Sequence, residues 1–374
     1  IKTLPQLFRE NGYYTARDGK VFHMGVPDGL ARCTSVQDEA HSWSESYDCM
    51  GYELNSNGYF YNATPWEEDS AGTGGAISWL KAEKGDHFQH DYNAATKTIE
   101  LLSGHREAPF FIACGFIRPH VPLVAPKRYF DMYSLDDIAL PASVEDDWVD
   151  IPPVVKDIFG ARFHVTEDEH RRAIRAYYAC VTFVDDQVGR LMKALDSLEL
   201  RKKTHVIFVS DHGVQNGEHS LWFKKHLFNE SVNAPLIISS PSFVETQGSM
   251  CSQLVEFVDI FPTITDIGGI VSGEKVEGIS MKPLVMDPVR PWNKAIFTQS
   301  SAGGVPGMSV RTERRCYNEW GEGASGSELY DLKHDPKEFK NQISNSDLAD
   351  TVAMMQLHLE EGWKSALPSD YSEN

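Results

Sequence analysis

The stretch that most restricts the fold runs from Thr166 to Gly213. Thr166 and Glu169 form a capping-box pair at the head of a helix. Ile174, Tyr177, Val181, Val184, Val188, Leu191, Leu195 and Leu198 then follow at intervals of three and four. This spacing predicts one long amphipathic helix. Asp185 and Asp186 keep that period, so they read as helix residues and not as a metal pair. The helix feeds into an apolar run, His205 to Val209, that stops abruptly at Ser210, Asp211, His212 and Gly213. That is the pattern of a buried strand ended by polar residues and a glycine bend. A second run, Phe110 to Phe116, ends in the same way at Arg118, Pro119 and His120. Strand, helix, strand in this order predicts an α/β fold with a mostly parallel central sheet flanked by helices.

The remaining elements follow from local patterns. Leu4, Leu7 and Phe8 have helical spacing before a stop at Asn11-Gly12, and Lys20 and His23 then flank a short apolar step that begins after Gly19. Val26 to Gly85 is rich in Gly, Ser, Asp, Trp and Tyr and reads as an irregular functional loop region. His87 to Leu102 is expected to be helical, Ala234 to Ser239 a strand, and Phe257, Ile260, Phe261 and Ile264 the packed face of a short helix. Composition shifts after Pro283, which suggests a large α/β domain over residues 1–287. Residues 288–374 then form a smaller α+β subdomain with antiparallel strands and a terminal helix from Asp347 to Leu367.

A net charge of −19 excludes long-range attraction to nucleic acid or an anionic membrane, so any anionic ligand must be held by local cations. No stretch approaches the run of about 18 apolar residues that a membrane span needs. The six cysteines include no C-x-x-C pair, which argues against structural zinc. Cys114 and Cys180 read as buried thiols, while Cys33 and Cys49 could close a loop disulfide in an oxidising compartment. With the sequons at Asn62 and Asn229, these features point weakly to export. The chain opens without Met inside an amphipathic pattern, so upstream sequence is expected.

Ligands of open α/β sheets bind at the carboxyl ends of strands. There Asp211 and His212 offer an oxygen and a nitrogen to a metal or an anion, and Glu218, His219, Trp222, Lys224, Lys225 and His226 form a cationic and aromatic cluster soon after. The same stretch reads equally as a strand followed by a charged surface loop. His120, between a proline and a valine, is held rigidly and is a candidate catalytic or anion-binding residue. Lys20 and His23 are candidates for anion contact, or else an exposed lysine and a turn histidine.

Taken together, TLPQLFRENGYYTARDGKVFHMG, GFIRPHVPLVAPKRYFDMY, YYACVTFVDDQVGRLMKALDSLEL, FVSDHGVQNGEHSLWFKKHLFNESVNAPLI, LVEFVDIFPTITDIGG and ELYDLKHDPKEFKNQ resemble the formylglycine-dependent sulfatases of the alkaline phosphatase superfamily. Within them the chain is similar to the iduronate-2-sulfatase-like branch. The resemblance implies hydrolysis of a sulfate ester on a sulfated carbohydrate, a glycosaminoglycan or another polysaccharide. It also implies a formylglycine hydrate as nucleophile and a calcium ion. By motif, Lys20 would contact the nucleophile or sulfate and His23 would hydrogen-bond the formylglycine hydrate. His120 would contact sulfate and protonate the leaving alcohol, and Lys224 would bind sulfate oxygens. Asp211 and His212 would be calcium-side ligands, the carboxylate the safer assignment because nitrogen suits a hard cation poorly. His219 and Lys225 would be loop or substrate-rim residues.

The family's C-x-P-S-R or S-x-P-S-R motif does not occur in the chain, nor does its early Asp-Asp pair. Both are expected upstream, so the chain as given is expected to lack the nucleophile, half of the metal site and a central strand, and to be inactive alone. Two other readings stay open: a related metal-dependent phosphoesterase or phosphonate hydrolase, and a non-catalytic pseudosulfatase that binds sulfated glycan.

Overall fold

The computed structural model describes residues 2–368 and 371, except 24, 27–37, 49–50, 52–56, 64–76, 159–162 and 164. The disulfide expected between Cys33 and Cys49 falls outside the described residues. The chain divides into two units that interleave along the sequence. The first holds Ile1–Leu140, His164–Thr204 and Ser272–Glu274, and the second Pro141–Phe163, His205–Val271 and Lys275–Asn374.

In the first unit, α1 (Leu4–Glu10) begins at Thr3, whose side chain accepts the Gln6 amide, and stops at Asn11. β1 (Tyr14–Gly19) comes next, a strand that the sequence pattern does not announce, ending where the short apolar step after Gly19 begins. Its inward charges disguised it: Arg17 and Asp18 are both buried. Arg17 is held by Asp38 and Asp48, each at 2.6 Å, which offsets the cost of burying a guanidinium.

β2 (Glu45–Tyr47) lies parallel to β1. β3 (Gly58–Asn62) and β4 (Ser78–Ala82) form an antiparallel pair. Part of the stretch Val26 to Gly85 is therefore strand and not irregular loop, carried by aromatic cross-strand partners such as Tyr61 opposite Trp79. α2 (His90–Gly104) leads into β5 (Phe110–Gly115), which closes a parallel sheet in the order β2-β1-β5, and packs on β1 and β5. β6 (Leu123–Pro126) pairs in parallel with β4 and passes into α3 (Lys127–Phe130).

α4 (Glu167–Ser197) is the long helix, and its capping box is formed as the sequence implies: Thr166 takes the Glu169 amide while Glu169 takes the Thr166 amide at 2.8 Å. Its buried stripe differs from the expected one. Ala173, Ala176, Ala179, Cys180 and Phe183 are enclosed while Val181 is 44% exposed. Small residues let the helix come close enough for the Cys180 thiol to reach the Val124 carbonyl at 3.5 Å. Asp185 and Asp186 are helical, and Asp186 accepts the Tyr129 hydroxyl at 2.7 Å. Cys114, expected to be buried, is half-buried.

In the second unit, β7 (Val206–Val209) ends the predicted apolar run, and the short strands β8 (Gln215–Asn216) and β9 (Trp222–Phe223) form a hairpin. α5 (Asn229–Val232) then leads to β10 (Leu236–Ser239), antiparallel to β7. α6 (Ile260–Ile267) and α7 (Lys282–Met286) follow. β11 (Ile296–Ala302), β12 (Val305–Arg311), β13 (Arg315–Trp320) and β14 (Ser327–Asp331) make a four-stranded antiparallel meander. α8 (Ala349–Glu361) ends at Gly362, short of the expected Leu367, because Gly362 takes φ +70 and breaks the helix.

The meander is packed on both faces. Val310, Tyr317 and Leu329 pack with Met355 of α8. Cys316, Trp320 and Tyr330 instead pack with Leu221, Leu227 and Phe228, the segment around β9. Among the described residues no helix is long and apolar enough to cross a membrane.

Glu328 is buried within the meander, accepting from Tyr330 at 2.8 Å, Trp320 at 3.3 Å and Asn318 at 3.4 Å. Burial pushes its carboxyl up to about 7 against these hydrogen bonds. The folded state therefore holds this proton more tightly than the unfolded chain, whose ordinary value is 4.5, and stability should fall as pH rises from 4.5 to about 7. Glu328→Gln is expected to flatten the dependence of Tm on pH across that window; an unchanged slope would contradict the assignment.

Candidate active site

The candidate residues divide between the units: Lys20, His23 and His120 in the first, Asp211, His212, His219, Lys224 and Lys225 in the second. Each set is built by a strand that stops abruptly.

In the first unit the β1–β5 ladder runs one step past the strand, since the Lys20 amide donates to the Gly115 carbonyl at 2.9 Å. A Cβ on Gly115 would stand 2.2 Å from the Lys20 carbonyl, and one on Gly19 would stand 2.2 Å from the Gly115 carbonyl. Only glycine fits either place, and Gly19 also takes φ +72. Lys20 emerges half-buried from this contact, and His23 is exposed.

His120 lies in a segment where the Arg118–Pro119 and Val121–Pro122 bonds are both cis. Its Nδ1 is 2.6 Å from the Val121 carbonyl. A carbonyl only accepts, so Nδ1 carries the proton of this contact. The loop is gripped from below. Buried Arg118 donates to the His120 and Pro122 carbonyls, both at 2.9 Å. Burial lowers its guanidinium to about 10. Asp91, fully buried in the first turn of α2, accepts the amides of Ile117 at 2.8 Å and Arg118 at 3.1 Å. Asp91 was missed in the sequence, although an acidic residue opening a predicted helix is a usable signal.

In the second unit β7 ends at Val209 and the chain turns at Ser210, whose hydroxyl donates to the His212 carbonyl at 2.9 Å. The Gly213 amide donates to Ser231 at 2.9 Å, and a Cβ on Gly213 would lie 2.0 Å from the Glu230 carbonyl. The strand end is thus pressed against α5. The Asp211 side chain is 80% exposed, with His212 Nε2 3.5 Å from its Oδ2. His212 Nδ1 lies 2.7 Å from the Gly213 carbonyl.

Lys224 directly follows β9 and is half-buried. Burial lowers its pKa, the Asp211 charge raises it and Lys225 lowers it, with a net depression. The fold therefore brings Asp211 and Lys224 together electrostatically. Lys225 is exposed, and its carbonyl accepts the Ser300 hydroxyl. His219, expected as a loop or substrate-rim residue, stands in the short turn of the hairpin and is enclosed: it is 2% exposed and paired with Asp147.

A hard divalent cation wants six or more oxygen ligands. The β7 end offers one carboxylate and one imidazole, and no group of three or more metal-binding side chains occurs among the described residues. These residues supply part of such a site and do not complete it, so no chemical step is assigned to a metal.

The family model described as Sulfatase matches residues 1–270, and that of the N-sulphoglucosamine sulphohydrolase C-terminal region matches residues 217–365. A protein of Formosa agariphila described as Sulfatase is 28% identical over 350 residues, covering 91% of this chain and 66% of that protein. The iduronate 2-sulfatase of Homo sapiens is 30% identical over 313 residues, covering 72% of this chain and 55% of that one. The chain thus spans about half to two thirds of the length of these relatives.

Among solved structures, a phosphonate monoester hydrolase of Agrobacterium radiobacter aligns with a TM-score of 0.77 at 23% identity, over 96% of this chain and 79% of that chain. A protein in complex with its substrate D-glucosamine-2-N,6-O-disulfate aligns with a TM-score of 0.69 at 20% identity, over 96% and 81%. These structural likenesses establish the fold.

The coupling of Asp211 to Lys224 has a measurable sign. Asp211→Asn removes the charge that raises the Lys224 pKa, so more amine is neutral and its acylation at mildly alkaline pH should quicken. Lys225→Gln removes the charge that lowers it and should slow the same reaction. Mass-spectrometric labelling rates at Lys224 that ignore both changes would contradict this coupling.

Proposed function

The chain belongs to the sulfatase family, and on that premise we propose that it hydrolyses sulfate esters of a sulfated sugar, giving the alcohol and sulfate. What supports the reading is the half-buried Lys224, which directly follows β9 and feels the charge of Asp211, in a chain of this family. Departure of the alcohol builds charge on its oxygen while the sulfur is crowded by anionic oxygens. Preorganised cations and a proton donor are the groups that stabilise this state.

On this reading His120 gives a proton from Nε2 to the leaving oxygen, its ring held by Nδ1 on the Val121 carbonyl. Lys20 and Lys224 bind sulfate oxygens, and His23 serves the nucleophile. We assign the nucleophile itself to no residue of this chain. Family membership implies a formylglycine and a divalent metal in general. We take the metal to be calcium, with Asp211 as one oxygen ligand and His212 beside it; when bound, it would draw charge from the sulfate oxygens.

Residues 288–374 are proposed as a subdomain that contributes to substrate choice, a reading supported by the meander that opens at Ile296. Export belongs to the same proposal, supported by family membership and the two sequons.

The test is turnover of an aryl sulfate and an aryl phosphate side by side by the full-length protein. Preference for the sulfate is expected, and preference for the phosphate would overturn the proposal. His120→Ala and Lys224→Ala should each lower kcat/KM on an unactivated sulfated sugar by roughly a hundredfold or more. Near-normal turnover by either variant would remove that residue from the mechanism.

A further inference from the structure

The hairpin that delivers Lys224 is held from inside the protein. Two residues of its turn, His219 and Leu221, are buried at 2% and 0% exposure. His219 Nδ1 is 3.1 Å from both carboxylate oxygens of Asp147, which is itself 5% exposed. The imidazole stacks on Phe228 with ring centres 4.0 Å apart and meets Phe339 at 5.3 Å. Next to Asp147, the Trp148 indole donates to the His219 carbonyl at 2.8 Å. One short turn, Asp147–Val149, therefore grips the hairpin by a side chain and by the main chain. The grip works against local backbone preference: His219, Ser220, Phe223 and Lys225 all take positive φ, between 54 and 77. Non-glycine residues adopt that region at a cost, so outside contacts must hold them there.

We propose that the buried Asp147–His219 ion pair is a positioning device for Lys224, clamping the turn of the β8–β9 hairpin so that the strand ending at Phe223 delivers the next side chain in a set place. Its bearing on catalysis rests on the reading of Lys224 as a sulfate-binding lysine. His219 touches no substrate on this account. Its role is to fix the segment on which Lys224 stands.

Such a clamp depends on charge. Burial alone lowers the affinity of His219 for its proton, but the hydrogen bond and charge of Asp147, with the charges of Glu338 and Glu230, outweigh it and hold the ring above its ordinary value of 6.5. Glu338 is bonded to Arg311 at 2.6 Å and Glu230 to Lys337 at 2.9 Å, so neither competes with Asp147 for the imidazole. The other nearby imidazole, His226, is pushed down to about 4 by burial and stays neutral. A raised histidine contributes its full stabilisation below 6.5 and loses it as pH climbs through the folded value. The hairpin should therefore be tight in acid and loosen on the alkaline side.

The experiment is amide hydrogen exchange across residues 215–226 of the full-length protein, expressed as protection factors from about pH 6 to about pH 9. In the wild type, protection should fall roughly tenfold or more as His219 loses its proton. His219→Gln and Asp147→Asn should give low protection that no longer depends on pH, and Asp147→Glu should restore part of the profile. In parallel, kcat on an aryl sulfate should drop roughly ten- to a hundredfold in the Gln and Asn variants, with KM changing less. A pH-independent wild-type profile, or full protection in a folded His219→Gln protein, would overturn the clamp. So would full kcat in that variant. If a variant does not fold, the wild-type profile and Asp147→Glu decide alone. The expected exchange profile in a wild type without sulfate-ester turnover would support the clamp and overturn the functional reading instead.

Discussion

A charged side chain can stand at the end of a buried strand only if the backbone leaves the sheet at once, and close approach of main chain to main chain sets where that happens. At Gly19 and Gly115 two strands meet so tightly that a Cβ on either would lie 2.2 Å from a carbonyl of the other. At Gly213 the chain presses on α5 with equal tightness. These glycines set the points from which Lys20 and the Asp211-His212 pair project. At β1, Gly19 stands between the strand and Lys20, while at β7 Gly213 follows the Asp211-His212 pair and seats it against α5.

Beneath each set of candidate residues lies a buried polar frame. Asp91 holds the amides that enter the His120 loop, and Arg118 holds the carbonyls within it. In the second unit Arg311 and Glu338 pair at 2.6 Å, and Glu338 also takes the Asn229 amide at 2.7 Å at the start of α5. Removing one partner from such a frame leaves a charge in an apolar interior, which costs more than the intact pair contributes. The frame therefore acts mainly to specify conformation, and what it specifies is the loop that carries His120 and the start of α5.

Much of this was legible in the sequence. Capping and helical period are local, so α4 could be read almost to the residue. The apolar runs at β5 and β7 announced themselves by composition, and their abrupt ends pointed to His120 and Asp211. β1 escaped because its inward positions include Arg17 and Asp18, which read as surface until Asp38 and Asp48 are seen beside the guanidinium. β3 and β4 escaped because their aromatic and glycine content resembles a loop until cross-strand partners exist. His219 reads as a loop or rim residue because a histidine in a polar, glycine-bounded segment gives no sign of burial.

The sequence by itself determined the α/β class, the long capped helix, the strand ends that carry His120 and Asp211, and the need for local cations in a chain of net charge −19. Those features depend on residues within a turn or two of each other, or on composition alone. Tertiary structure decided the rest: that Asp91 supports a loop 26 residues away, that Asp147 holds an imidazole 72 residues away, and that Asp211 tunes Lys224. The energy of a buried charge depends on which distant group the fold brings to it, and no local pattern encodes that partner.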